Sequence, residues 1–192
     1  MKKIIASAIL ATTIPFTGNA MAADYAIDIK GAHAAINFSV SHLGYGWVVG
    51  RFNEFEGSFS YDPAKPAESK VDVTINTKSV DSNHAERDKH LRGGDFLNTD
   101  KHAEATFKST GFKAGEGKKA QIMGDFTLLG VTKPITIDVV MQGAGKDPWG
   151  GERIGFKGTT SIAMADYGID FNLGPASKMI DLELFVEGVK KK

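Results

Sequence analysis

The sequence predicts an all-β fold, an eight-stranded antiparallel β-barrel with a short helical insertion at one end. Three observations point there. About eight segments alternate apolar and polar residues, the only stretch of helical character is brief, and the inward parity mixes large apolar side chains with Gly and Ala. Alternation at period two gives a sheet with one apolar and one wet face. So many strands with so little helix must pair as a sandwich or close on themselves. Small residues on the inner face take up no volume, which favours closure around an open interior.

The chain opens with Lys2 and Lys3, an apolar run from Ile4 to Phe16, and the small-x-small triplet Ala20-Met21-Ala22. This pattern predicts a secretory signal peptide over residues 1–22, removed before Ala23. The apolar run is shorter than the roughly 20 residues of a membrane span. A double-lysine start with a small-residue cleavage site has bacterial character, so the expected location is the periplasm. The absence of cysteine suits an oxidising compartment and removes thiol catalysis and thiolate metal ligation. Loss of Lys2 and Lys3 turns a net charge of +0 into −2. That balance, without clustered cations, argues against nucleic acid as a partner. Residues 23–192 fit one domain, large enough to hold a core without staples.

Along that domain, Ile36, Phe38 and Val40 alternate with Asn37, Ser39 and Ser41. Asp62-Pro63 through Pro66 breaks the chain after Phe59 and Tyr61, before Val71, Val73 and Ile75 resume the alternation. From Asp81 to Phe96 it stops. Asn83 followed by Glu86 resembles a capping box, and Gly93-Gly94 ends the run, which predicts a short helix with Leu91 as its one large apolar residue. Such a helix is placed as a lid or plug would be. Strands return around Phe107 and, after Gly115-Glu116-Gly117, around Ile122, Gly124, Phe126 and Leu128. Gly130 leads to Pro134, which can open a strand but is not expected inside a central one. Ile135, Ile137, Val139 and Met141 follow. The stretch from Gly145 to Gly151 separates them from Ile154, Phe156, Thr160 and Ile162, and Gly174-Pro175 precedes Ile180, Leu182, Leu184 and Val186.

Ionisable residues are densest on the helix. His84, Arg87, Asp88 and Leu91 share one face at three- and four-residue steps, with Glu86 and His90 on another. A metal could be held by His84 with Asp88, or by Glu86 with His90, but the spacing differs from the His-Glu-x-x-His pattern that sets two imidazoles on one zinc. No metal is therefore expected. The plain alternative is a solvated helix with internal ion pairs. The functional one has Arg87, His84 or Arg92 holding a polar or anionic head group, a task that suits guanidinium. Tyr45 and Trp47, set among glycines, read as rim aromatics or as turn packing. Gly143 to Asp147 lacks the earlier glycine and following Ser/Thr of a phosphate loop, and Pro175 stands where the turn glycine of a calcium loop belongs.

Several blocks together resemble the YceI-like polyisoprenoid-binding family. Phe38-Ser39-Val40-Ser41-His42-Leu43-Gly44-Tyr45 with Gly50-Arg51-Phe52 is similar to its first block. Thr77 through Arg92, followed by Asp95-Phe96-Leu97, is similar to its most specific one. Ala105-Thr106-Phe107, Gly124 through Leu128, Gly130 through Pro134, Asp147-Pro148-Trp149-Gly150 and Asp166-Tyr167-Gly168-Ile169 complete the likeness over nearly all of residues 23–192. The resemblance implies a lipocalin-like barrel whose long cavity takes a polyisoprenoid or similar lipid. Some relatives occur beside b-type cytochromes, which points to a quinone and to a membrane b-type cytochrome as a partner.

The reading that follows is a non-enzymatic periplasmic binding protein that holds an isoprenoid lipid, a quinone or polyprenyl compound, in the barrel interior for transport, storage or stress protection, with no cofactor beyond that lipid and no catalytic residues. Parity assigns the lining to Ile36, Phe38, Val73, Ile75, Phe107, Phe126, Ile137, Val139, Phe156, Leu182 and Leu184, with His84, Arg87 and Asp88 as head-group candidates. A homodimer is compatible with the sequence. The rival readings are a broad scavenger of amphiphiles such as fatty amides, an enzyme acting on a lipid-like substrate through His84 and Asp88, and an interaction module with a filled barrel.

Overall fold

The structure, a computed structural model, describes residues 22–192. The expected signal peptide therefore lies outside the described residues, apart from Ala22. Eleven strands and one α-helix follow in order: β1 (Ala23–Ile27), β2 (Ala35–His42), β3 (Gly46–Phe52), β4 (Phe55–Tyr61), β5 (Lys70–Asn76), β6 (Val80–Asp81), α1 (Ala85–Arg92), β7 (Glu104–Ala114), β8 (Lys119–Leu128), β9 (Val131–Lys146), β10 (Glu152–Ala163) and β11 (Met179–Lys190).

All pairings are antiparallel and the sheet closes. β11 carries β1 on its last residues (Ile27 opposite Gly188) and β2 further back (Ile36 opposite Leu184). β1 and β2 thus act as one interrupted strand. β3 and β4 do the same, broken only by Asn53 and Glu54, as do β5 and β6. Counted this way, the eight expected strands meander once around a closed barrel with one helix, in chain order.

Parity behaves as the alternation requires. Ile36, Phe38, Ile75, Phe107, Phe126, Ile137 and Val139 are buried, while their neighbours on the outer face include Lys108, Asp125, Lys157 and Glu183. Exposed pairs such as Lys157–Glu183 and Lys108–Asp72 line that outer face. Among the described residues, no helix is long and apolar enough to cross a membrane.

Three sequence expectations change. Pro134 does lie inside a strand, β9, but between Val131 and Ile137 that strand pairs in register with β8 alone, so its missing N–H interrupts no second ladder. The helix cap is His84, not Asn83. The His84 Nδ1 accepts from the Arg87 backbone N–H at 3.2 Å, and Asn83 adopts a left-handed φ of 60° one residue earlier. Nor do the inward glycines leave empty space. A Cβ at Gly50 would overlap the Phe38 ring, one at Gly124 the Phe107 ring, and one at Gly188 the Phe59 ring. At Gly50 and Gly124 the space belongs to a ring from the paired strand, the pairing known as aromatic rescue of glycine, at Gly188 to a ring from β4, beyond β1, and at Gly158 to Ile137 and Leu184.

One end of the barrel is floored by aromatic rings. Tyr25 stacks on Phe59 at 5.0 Å between centroids, and Phe156 meets Phe59 and Tyr61 edge-on at 5.7 and 5.9 Å. Beneath them Arg153 ties the end together. Its Nη1 donates to Asp28 and Glu187 at 2.6 Å each, and its Nε donates to Asp147 at 2.8 Å. Asp28 and Glu187 lie close enough to His33 to suggest a metal site. The guanidinium already supplies the positive charge that an ion would bring.

Two outcomes are expected. Gly124→Ala places a Cβ 2.6 Å from the Lys108 carbonyl oxygen and against the Phe107 ring. It should lower stability by about 1–3 kcal/mol in urea unfolding, whereas Gly143→Ala, with nothing within 4 Å, should change it by no more than about 0.5 kcal/mol. The second concerns acid. The His33 hydrogen bond, then Arg153 and the Gly31 N–H, hold the Asp28 carboxyl at about 2 rather than 3.8. A depressed carboxyl contributes stability fully above its unfolded value and loses it as pH falls toward the folded one, here from 3.8 toward about 2. In Arg153→Met, an NMR titration should find Asp28 protonating at higher pH, and acid unfolding should begin earlier.

Candidate functional site

At the end of the barrel opposite Arg153, the interior widens under α1 into a cavity of about 340 Å³. Its walls come from the strands (Phe38, Phe52, Ile75, Phe126, Leu128, Leu182), from the helix and its exit (Arg87, His90, Leu91, Phe96, Leu97), and from the segment between β10 and β11 (Ile169, Phe171, Leu173, Ser177). A second chamber of about 150 Å³ continues toward the aromatic floor, lined by Ile36, Val73, Phe107, Ile137, Val139, Phe156 and Leu184 among others. Phe52, Ile75, Phe126 and Leu182 belong to both and form the waist between them. All eleven residues assigned to the lining by parity therefore border the bore. The upper chamber alone lies within the usual size range of small-molecule sites, about 300–1,000 Å³.

The three head-group candidates do different things. Arg87 borders the cavity. Its Nε donates to Ser82 Oγ at 2.7 Å and its Nη2 to the Ser82 carbonyl at 2.6 Å, while Nη1 has no hydrogen-bond partner among the described residues. Asp88 is buried behind it, accepting from the Ser82 N–H and hydroxyl at 2.8 and 2.5 Å. It is a positioning residue, since its carboxylate holds the serine that holds the guanidinium. His84 is exposed and spends Nδ1 on the helix cap, off the cavity wall. Arg92 is committed as well, donating to the carbonyls of Lys78 and Val80 and pinning the helix to the strand beneath it.

Other parts of the mouth carry weaker signals in the sequence. His90 faces Asp95 at 3.0 Å and meets Phe96 and Phe171 edge-on. Ser177, 2% exposed, donates to the Ser41 carbonyl and accepts from the Leu43 N–H, fastening the β10–β11 segment to the tip of the β2–β3 hairpin. Neither partnership follows a strand or helix period. The only hint was apolar Phe171 and Leu173 standing beside Gly174-Pro175. Deeper in, Tyr167 packs edge-on against Phe126 at 5.6 Å. Its hydroxyl is buried without a partner, and burial pushes the phenol above its ordinary value, so it stays neutral.

Chemically this arrangement suits holding an apolar molecule. The wall hydroxyl of Ser177 is spent on backbone groups.

A YceI-like domain matches residues 25–188. The chain belongs to the YceI-like family. It is 58% identical over 191 residues to a UPF0312 protein of Shewanella baltica strain OS185, covering all of both chains, and equally to one of Shewanella sp. strain ANA-3. Among solved structures it is similar to the Campylobacter jejuni YCEI protein, at 31% identity and TM-score 0.69 over 76% of this chain and 86% of that one. A polyisoprenoid binding domain from Saccharophagus degradans shares the fold at TM-score 0.66, with 18% identity over 87% of this chain and 98% of that one. Burkholderia cenocepacia BcnA does so at 0.74, with 20% identity over 84% and 98%.

The waist provides a direct test of the inward parity. Phe126→Asp sets an unpaired carboxylate among apolar walls and should abolish folding or ligand uptake. Thr127→Asp, one residue along on the outer face, should leave a native circular dichroism spectrum and uptake intact. Equal effects at both positions would contradict the assignment.

Proposed function

We propose that this protein is a non-enzymatic carrier or store for an isoprenoid lipid, a quinone or polyprenyl compound, acting in the periplasm. The observation that carries this reading is the two-chambered apolar bore, walled almost wholly by hydrocarbon and ringed at its mouth by Arg87, His90 and Asn172. Membership of the YceI-like family and the shared fold with a polyisoprenoid binding domain support the same ligand class. The tail lies in the bore. The head group stays at the mouth, within reach of the unpaired Arg87 Nη1.

The energetics favour exchange over permanent capture. Each buried methylene is worth about 0.8 kcal/mol relative to water. A prenyl tail resting in a bilayer is already out of water, so transfer into the bore gains little from burial. The balance is then set by head-group contacts and by the cost of ordering the tail. Loading and unloading are both feasible under such terms.

Organic extraction of freshly purified protein, followed by lipid mass spectrometry, should recover a prenyl lipid in near-stoichiometric amount. Stripped protein should take up added quinone or polyprenol without converting it. Arg87→Met should weaken uptake of head-group-bearing lipids by about tenfold, the loss of one charge-assisted hydrogen bond, while binding of a bare hydrocarbon is unchanged. Preferential displacement of quinone by fatty amides would favour a broad scavenger instead, and turnover of the added lipid would indicate an enzyme.

A further inference from the structure

The β2–β3 hairpin runs past the barrel rim. β11 pairs with β2 only as far as Ser39, and β6 pairs with β3 only at Arg51 and Phe52. Beyond these points β2 and β3 have only each other as ladder partners, so residues 40–50 form a two-stranded flap that projects about 10 Å. Large apolar side chains concentrate on it. Tyr45 is 91% exposed, Trp47 62%, Val49 61% and Leu43 52%. From Phe38 to Gly50 no Asp, Glu, Lys or Arg occurs. An uncharged, exposed apolar edge is a hazard that soluble proteins normally blunt with charge.

The turn itself is built against conformational preference. Leu43 and Gly44 have φ of 56° and 81°, and the Tyr45 N–H closes on the His42 carbonyl at 2.9 Å. Asn or Gly is the usual residue at the first of these positions, because a left-handed φ strains a branched side chain. A leucine held there by the Ser177 clasp serves something other than the turn. Leu43 also borders the cavity, so the same residue faces both the bore and the outside.

We propose that this flap docks on a phospholipid bilayer, seating Leu43, Tyr45 and Trp47 in the interfacial layer so that the mouth of the bore opens against the membrane. The inference rests on the lipid-carrier reading for its purpose, but on the hairpin alone for its geometry. Trp and Tyr favour the depth where acyl chains meet head groups. Water and head groups at that depth satisfy the unpaired edge of β3, which hydrocarbon would not. Because the flap carries no charge, neutral lipid suffices and salt has little effect on docking.

Trp149 lies in the β9–β10 turn at the other end of the barrel, so Trp149→Phe leaves Trp47 as the sole indole. Adding phosphatidylcholine vesicles to that variant should shift Trp47 emission to the blue and carry the protein down with the vesicles, equally at low and high salt. Leu43→Ser with Tyr45→Ser should reduce vesicle association by about tenfold or more, with the circular dichroism spectrum unchanged. Unchanged emission with the protein left in the supernatant would overturn the proposal. So would association that needs anionic lipid and vanishes in salt, or a concentration-dependent dimer in sedimentation that the same double substitution abolishes. Docking without any uptake of quinone would sink the carrier reading and leave this one standing, and uptake from detergent without docking would do the reverse.

Discussion

Closure of the sheet through β11 is the constraint that the other features obey. This strand holds β10 along one edge and shares the other between β1 and β2, so its register fixes where both ends of the barrel fall. Once the ring is closed, period-two alternation leaves the apolar parity no destination but the inside. Ring sterics then decide how much of that inside is filled. Phe38, Phe107 and Phe59 take the room left by Gly50, Gly124 and Gly188, which packs the wall itself.

The two ends of the tube are stabilised by opposite means. At the floor, stacked aromatic rings meet the Arg153 cluster, where one guanidinium satisfies three carboxylates and fixes the loop after β1. At the mouth, the polar groups are mostly spent on holding backbone. Asp88 and Ser82 position Arg87, Arg92 clamps the helix to the strand under it, and Ser177 clasps the hairpin. The Arg87 Nη1, without a hydrogen-bond partner among the described residues, is left beside His90 and Asn172 at a largely apolar opening.

The barrel was legible because alternation is a one-dimensional signal. Residues such as Ile137 and Val139 declare their face by position alone, and a closed sheet turns that face into a lining. The mouth was legible only in part. Arg87, Asp88 and His84 share a helix face, yet three fates befell them, since hydrogen bonds to Ser82 and to the helix cap depend on a turn geometry that spacing does not encode. The clasp between Ser177 and Ser41 joins residues 136 apart in the chain, beyond the reach of any local pattern. The glycines misled for a related reason. Small size reads as empty space in a sequence, whereas here Gly50, Gly124 and Gly188 mark sites where a ring needed the room and Gly158 one where Ile137 and Leu184 close in.

The aromatic floor has a last implication for traffic. Tyr25, Phe59, Tyr61 and Phe156 gather their rings at the Arg153 end, where the last three border the lower chamber, whereas the upper chamber is bordered by side chains of the helix and of the β10–β11 segment. A slender apolar molecule held as proposed would meet fixed ring faces at one extremity and the side chains of a short helix at the other, so the tube has a direction built into its walls.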